Sequence, residues 1–116
     1  MEKGLYLLCW NPASTLPADL DQAGFDVEVE SEDGGKAYRR LREETFAAVV
    51  FDMSKKPSHS LEVARAVGES KKMSALPLVF VDSAEVQREK LAGFRLQSAH
   101  FCTRSELISV LRDLTG

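Results

Sequence analysis

The sequence predicts an α/β domain built on a parallel sheet, and three observations carry that prediction. Ala47-Ala48-Val49-Val50-Phe51 is an unbroken apolar run, as expected of a strand buried on both faces. Shorter apolar runs recur at Leu5–Trp10, Leu78–Val81 and Ala99–Cys102, with polar stretches of helical character between them. The long run ends directly in Asp52, where a strand of an open α/β sheet delivers its residues to the ligand-binding edge.

Taken in order, Leu5–Trp10 is the first strand. The spacing predicts a helix over Ala13–Ala23, entered through Asn11-Pro12 and closed by Gly24, with Pro17 tolerated only in its first turn. Phe25–Glu30 alternates apolar and acidic residues, the pattern of a strand with one wet face, which suits a sheet edge. Lys36–Glu44 is a charged helix anchored by Ala37 and Leu41, and Gly34-Gly35 is the turn that opens it. The strand Ala47–Phe51 follows. Ser60–Lys72 aligns Leu61, Ala64 and Val67 on one stripe, with Ser58 or Ser60 as N-cap. Leu78–Val81 leaves Pro77 as the fourth strand, and Ala84–Ala92 is a helix ending at Gly93. Ala99–Cys102 is the last and weakest strand. Ser105–Leu114 places Leu107, Leu111 and Leu114 at helical spacing behind Thr103-Arg104-Ser105-Glu106, a capping-box pattern.

This alternation, with no repeat, low-complexity tract or internal linker, predicts one domain over 1–116: a (βα)5 three-layer sandwich. The length suits a parallel five-stranded sheet in the flavodoxin-like order 2-1-3-4-5. Its crevice would then be lined by the residues after Trp10 and after Phe51. Cys9 and Cys102 would lie three strand spacings apart, roughly 14 Å, too far for a disulfide. Both cysteines are expected to be small buried hydrophobes.

A hydrophobic content of 44%, a charged content of 28% and a net charge of -3 describe a globular chain with no electrostatic pull towards nucleic acid. No apolar run is long enough to span a bilayer, so no membrane association is expected. The N-terminal apolar stretch lacks the basic lead-in and cleavage site of a signal peptide, and cytoplasmic residence is the expectation.

With the element order, Val49-Val50-Phe51-Asp52-Met53-Ser54 and Pro77-Leu78-Val79-Phe80-Val81-Asp82 in view, the chain resembles a receiver domain of the bacterial response-regulator superfamily. The resemblance extends from Lys3 to about Leu114 and includes the loop Ser54–Ser60. It implies self-phosphorylation on the aspartate after the third strand, which Asp52 matches. It also implies a magnesium ion held by an acidic pair after strand one, a hydroxyl residue after strand four and a lysine after strand five. Each of those positions departs: Cys9-Trp10-Asn11 carries no charge, Asp82 occupies the hydroxyl position with Ser83 beside it, and Thr103 occupies the lysine position beside Arg104. Two anions meet when an aspartate attacks a phosphoryl group, and a single carboxylate holds magnesium poorly. The resemblance is therefore to a degenerate receiver, or pseudo-receiver.

Taken singly, Asp52 reads as a strand-end residue accepting backbone N–H bonds. Asp82 either pairs with Asp52, to share a proton or bind a cation, or stands apart in solvent. Ser58-His59-Ser60 is better explained by a helix-capping serine beside a surface histidine than by a nucleophile and base, because consecutive helical residues diverge. Lys55, Lys56 and His59 at a helix N-terminus form a basic edge where an anion could dock. Trp10 is a core wall whose N–H finds a partner at the rim. Arg39, Arg40 and Arg42, balanced by Glu43 and Glu44, form a solvated helix face.

The expected function is a non-catalytic regulatory or protein-interaction module with no cofactor. By the resemblance, its partner or dimer surface is the face of helix 4, strand 5 and helix 5, within Val86–Gly93, His100–Cys102 and Ser105–Leu114. The chain would act in trans or as part of a longer protein. One alternative is a magnesium-dependent phosphoacceptor on Asp52 helped by Asp82, Ser83 and Arg104. Another is a binder of a small anion or nucleotide at Asn11, Asp52, Lys55, His59 and Asp82.

Overall fold

The computed structural model describes residues 3–116. Five strands alternate with five helices: β1 Lys3–Leu8, α1 Leu16–Gln22, β2 Val27–Glu30, α2 Gly34–Glu43, β3 Phe46–Asp52, α3 Pro57–Glu69, β4 Leu78–Val81, α4 Glu85–Ala92, β5 Ala99–Cys102 and α5 Leu107–Thr115. All pairings are parallel and the order is β2-β1-β3-β4-β5, the flavodoxin-like arrangement that the alternation predicts. Leu5 pairs with Ala48 and Leu7 with Val50, so the two central strands meet in register.

Successive strand residues point to opposite faces, and each face has its own core. Leu5, Leu7, Ala48, Val50, Val79 and Val81 pack under Leu16 and Leu20 of α1 and Leu107 and Leu111 of α5. Tyr6, Leu8, Val49, Phe51 and Phe80 pack under Leu41 of α2, Val63 and Val67 of α3 and Leu91 of α4. Continuous apolar runs are thus the signature of strands with helices on both sides. Among the described residues, no helix is long and apolar enough to cross a membrane.

Several element boundaries differ from the sequence expectation, each for a local reason. Residues 13–15 stay out of α1: the Asn11 side-chain oxygen accepts from the Ala13 N–H at 3.1 Å and its carbonyl accepts from Ser14 N–H. Pro17 falls in the first turn as expected, and Gly24 follows α1 at φ +96°, the left-handed conformation that suits glycine past a helix end. α2 begins at Gly34, earlier than Lys36, because the Asp33 carboxylate caps Gly35 and Lys36 N–H at 2.8 and 3.2 Å. α3 begins at Pro57, whose fixed φ suits the first helical position. Its cap is Lys56 in a left-handed conformation (φ 45°), so neither Ser58 nor Ser60 caps the helix. It ends at Glu69, and turns led by Ser70 carry the chain onward.

The edge strand β2 is shorter than Phe25–Glu30, and its wet and dry faces do not alternate cleanly. Val29 is 42% exposed while Glu30 is buried. The Glu30 carboxylate turns inward to accept from the N–H groups of Glu32 and Asp33, at 2.9 and 3.1 Å, fixing the turn into α2. Nor is the arginine face of α2 wholly solvated. Arg40 clamps Glu28 of β2 with two bonds of 2.6 and 2.9 Å, a forked geometry that fastens helix to sheet edge.

Candidate functional site

The crevice at the carboxyl ends of β1 and β3 is organised by Asp52. Its strand is central and buried, so the carboxylate is carried to a fixed place with only 6% of the residue exposed. One oxygen, Oδ1, accepts from the Ser54 N–H at 3.0 Å and from the Ser54 hydroxyl at 2.6 Å. The other, Oδ2, lies 3.5 Å from the Cys9 thiol, whose single proton is shared between this oxygen and the Asn11 carbonyl at 3.6 Å. Burial pushes the Cys9 thiol above its ordinary value, and the nearby Asp52 charge acts in the same direction. Cys9 therefore stays a neutral donor. Among the described residues no Lys, Arg or His forms an ion pair with Asp52.

The wall beside it is built from Trp10 and α3. Trp10 is buried, and its indole N–H donates to the buried Ser60 hydroxyl at 2.9 Å. The partner of Trp10 is thus Ser60, one turn into the helix and wholly buried, not a group at the rim as expected. His59 is exposed and lies against Trp10 with ring centroids 5.4 Å apart. Ser58, His59 and Ser60 diverge, with only Ser60 facing inward.

Asp82, after β4, turns away from Asp52. It adopts a left-handed conformation (φ 56°), and its Oδ1 accepts from the Arg104 N–H at 3.2 Å. The Arg104 guanidinium points elsewhere again, to Thr15 at 2.5 Å and Asp19 at 2.7 Å near the start of α1. Thr103 bonds within its own loop: the Glu106 carboxylate accepts from its N–H at 2.9 Å and its hydroxyl at 3.0 Å. Those bonds, the backbone one first, hold the Glu106 carboxyl below its usual range. The backbone half of the expected capping box is therefore present, opening a 3-10 turn over Arg104–Glu106 ahead of α5. Ser83 is half-buried, and its carbonyl accepts from Arg88. Lys55 and Lys56 are exposed and make no ion pair among the described residues.

Among the described residues, no hydrogen bond, ion pair or ring contact joins any two of Asn11, Asp52, Lys55, His59 and Asp82, the expected ligand set. Asn11 Oδ1 accepts from the Ala13 N–H, Asp52 accepts from Ser54 and Cys9, His59 lies against Trp10, and Asp82 Oδ1 accepts from the Arg104 N–H. Sequence reading missed two partnerships, Cys9 with Asp52 and Ser60 with Trp10. The first had a signal: an uncharged hydrogen-bonding side chain at the end of the strand next to the one that carries the acid.

A magnesium ion wants several hard oxygen ligands, usually more than one carboxylate. The crevice supplies one carboxylate, a protonated thiol and an asparagine already committed to a turn. Among the described residues no three His, Cys, Asp or Glu side chains are grouped to hold a metal. The residues present do not fit magnesium. Cys102 also departs from expectation: it is half-buried, whereas Cys9 is buried, and both are free thiols.

No protein-family model matches the chain, and no curated protein matches it. Solved structures do. It is similar to a sensor protein from Polaromonas at 22% identity and TM-score 0.72, covering 96% of this chain and 94% of that one. It is similar to the receiver domain of a Pseudomonas aeruginosa sensor histidine kinase, which holds a magnesium ion in its cleft, at 19% identity and TM-score 0.74, covering 98% of both. A bacteriophytochrome response regulator matches at 18% identity and TM-score 0.75, over 98% of this chain and 78% of its own. Likeness at these identities establishes the receiver fold.

Proposed function

We propose that the chain is a non-catalytic, receiver-like module of a cytoplasmic signalling system, working by protein contact. The observation that carries this reading is the state of Asp52. Both its oxygens lie against uncharged donors of the chain itself; Cys9-Trp10-Asn11 stand where a receiver has its magnesium-holding acidic pair, and Thr103 stands where it has its lysine. An aspartate attacking a phosphoryl group needs that charge offset. Asp52 here is a clasp between the loops that follow β1 and β3.

The partner surface on this reading is the face of α4, β5 and α5, offered to a protein partner or a second copy. Two exposed large apolar residues support it: Val86 on α4, 56% exposed, and Phe101 on β5, 43% exposed. Incubation with acetyl phosphate and magnesium, followed by intact mass, tests the central claim. No mass gain is expected. A stoichiometric phosphoryl gain abolished by Asp52→Asn would overturn it and establish the phosphoacceptor reading.

A further inference from the structure

A groove of about 440 Å³ lies between α2 and α3, outside the Asp52 crevice, lined by Asp33, Gly34, Tyr38, His59, Glu62 and Val63 among others. Its floor is made apolar by Val63 and Ala66 of α3, which face the two glycines that open α2. A Cβ at Gly34 would already meet Val63 Cγ2 at 3.3 Å, so the helices sit as close as a bare backbone allows. Val63 is buried and Tyr38 half-buried, while Asp33, His59 and Glu62 are exposed around them. The rim is therefore acidic and aromatic. Asp33 spends Oδ1 on Gly35 and Lys36 N–H, leaving Oδ2 without a hydrogen bond. Glu62 has neither hydrogen bond nor ion pair among the described residues, and Tyr38 already carries the Arg42 guanidinium 6.0 Å from its ring centroid.

We propose that this groove seats an arginine side chain presented by a protein partner, a proposal that rests on the reading of the chain as an interaction module. The chemistry is complementary at each level. The Asp33 and Glu62 carboxylates face a planar cation that carries several N–H donors, and the apolar floor receives the aliphatic stem. A phosphate would meet two carboxylates here. A neutral apolar group would leave both without a partner.

Titration with N-acetyl-arginine amide, followed by amide ¹H–¹⁵N spectra, reads the groove directly. Saturable shifts are expected at Gly34, Gly35, Tyr38 and Val63. The isosteric citrulline compound should bind about tenfold more weakly, because the charge is gone. Glu62→Gln, at an exposed position, should weaken arginine binding about two- to fivefold, the range of one exposed charge pair. Missing or scattered shifts, equal response to citrulline, or an unchanged titration in Glu62→Gln would each overturn the proposal. Phosphorylation of Asp52 would sink the non-catalytic reading without touching this titration, and a failed titration would leave the Asp52 chemistry as it stands.

Discussion

β3 and β5 flank the same strand, β4, and they differ in almost everything else. β3 has seven residues, lies between β1 and β4, and is buried at every position but Ala47. β5 has four residues, pairs with β4 alone, and none of them is fully buried. The aromatic stack Phe51–Phe80–Phe101 crosses all three strands, with centroid separations of 4.7 and 5.5 Å, and it passes from the core to the surface. The central strand holds Asp52 rigidly in a neutral hydrogen-bonded clasp. The edge strand contributes little to the core and leaves an aromatic ring to solvent. Stability and adhesion are thus assigned to different strands, and the aspartate sits with the first.

The sharpest way to break this contrast is to truncate both ends of the aromatic stack. Phe51 is wholly buried, so Phe51→Ala should cost about 3–5 kcal/mol. Phe101 keeps 43% of its surface in water, and Phe101→Ala should cost about 1 kcal/mol. Guanidinium unfolding of the two variants measures both. Equal losses would mean that β5 belongs to the core as fully as β3.

Hydroxyl deletions give the same comparison at smaller scale. Ser60→Ala strands the buried Trp10 N–H and should cost about 1–3 kcal/mol, with a shift in Trp10 fluorescence. Ser98→Ala removes a half-buried contact to His100 at 3.0 Å beside β5, and water can replace it. Its cost should stay below about 1 kcal/mol. A larger loss at Ser98 than at Ser60 would reverse the ranking.

The same asymmetry governs what could be read from the sequence. β3 and β4 announce themselves because burial on both faces leaves an unbroken apolar run, and the strand order follows from strict alternation with helices. β2 misleads because its pattern predicts an even wet face, whereas Glu30 turns in to hold backbone N–H groups that no periodicity reports. The start of α3 is set by Pro57 and the left-handed Lys56, which outweigh two serines with good capping chemistry. At the site, the loss of positive charge around Asp52 is legible residue by residue. The bond from the Ser54 N–H is legible too, since a strand-end Asp52 is expected to accept backbone N–H bonds of its own loop; the Cys9 contact has only the signal of an uncharged donor at the end of the adjacent strand.

The two thiols lie on opposite sides of the sheet centre, at the end of β1 and on β5, and both respond to pH in the same direction. Burial is the first cause of the raised Cys9 and Cys102 values. A thiol raised in the folded state contributes stability that is fully present below its unfolded value, about 8.5. That stability is lost as pH rises through the folded value, because the unfolded chain ionises first. Urea midpoints should therefore fall as pH rises above about 8.5. Cys9→Ala should flatten that fall, although it removes a donor to Asp52. A slope of opposite sign would mean that Cys9 is held as a thiolate, which would give Asp52 a second anion and not a neutral donor.

The smallest effect belongs to the tie between the end of β5 and α1. Arg104 reaches Asp19 at 2.7 Å, but the two side chains are 40% and 51% exposed. A pair that wet gains little, and salt screens most of what it gains. Arg104→Ala and Asp19→Asn should each cost about 1 kcal/mol or less. The double mutant should cost no more than either, and the coupling should vanish near 1 M salt. A coupling of about 2 kcal/mol that survives salt would mean that the β5 loop is locked to α1 as firmly as Asp52 is locked between its neighbours. The edge of the sheet would then be a second rigid anchor, and the division of labour between β3 and β5 would fail.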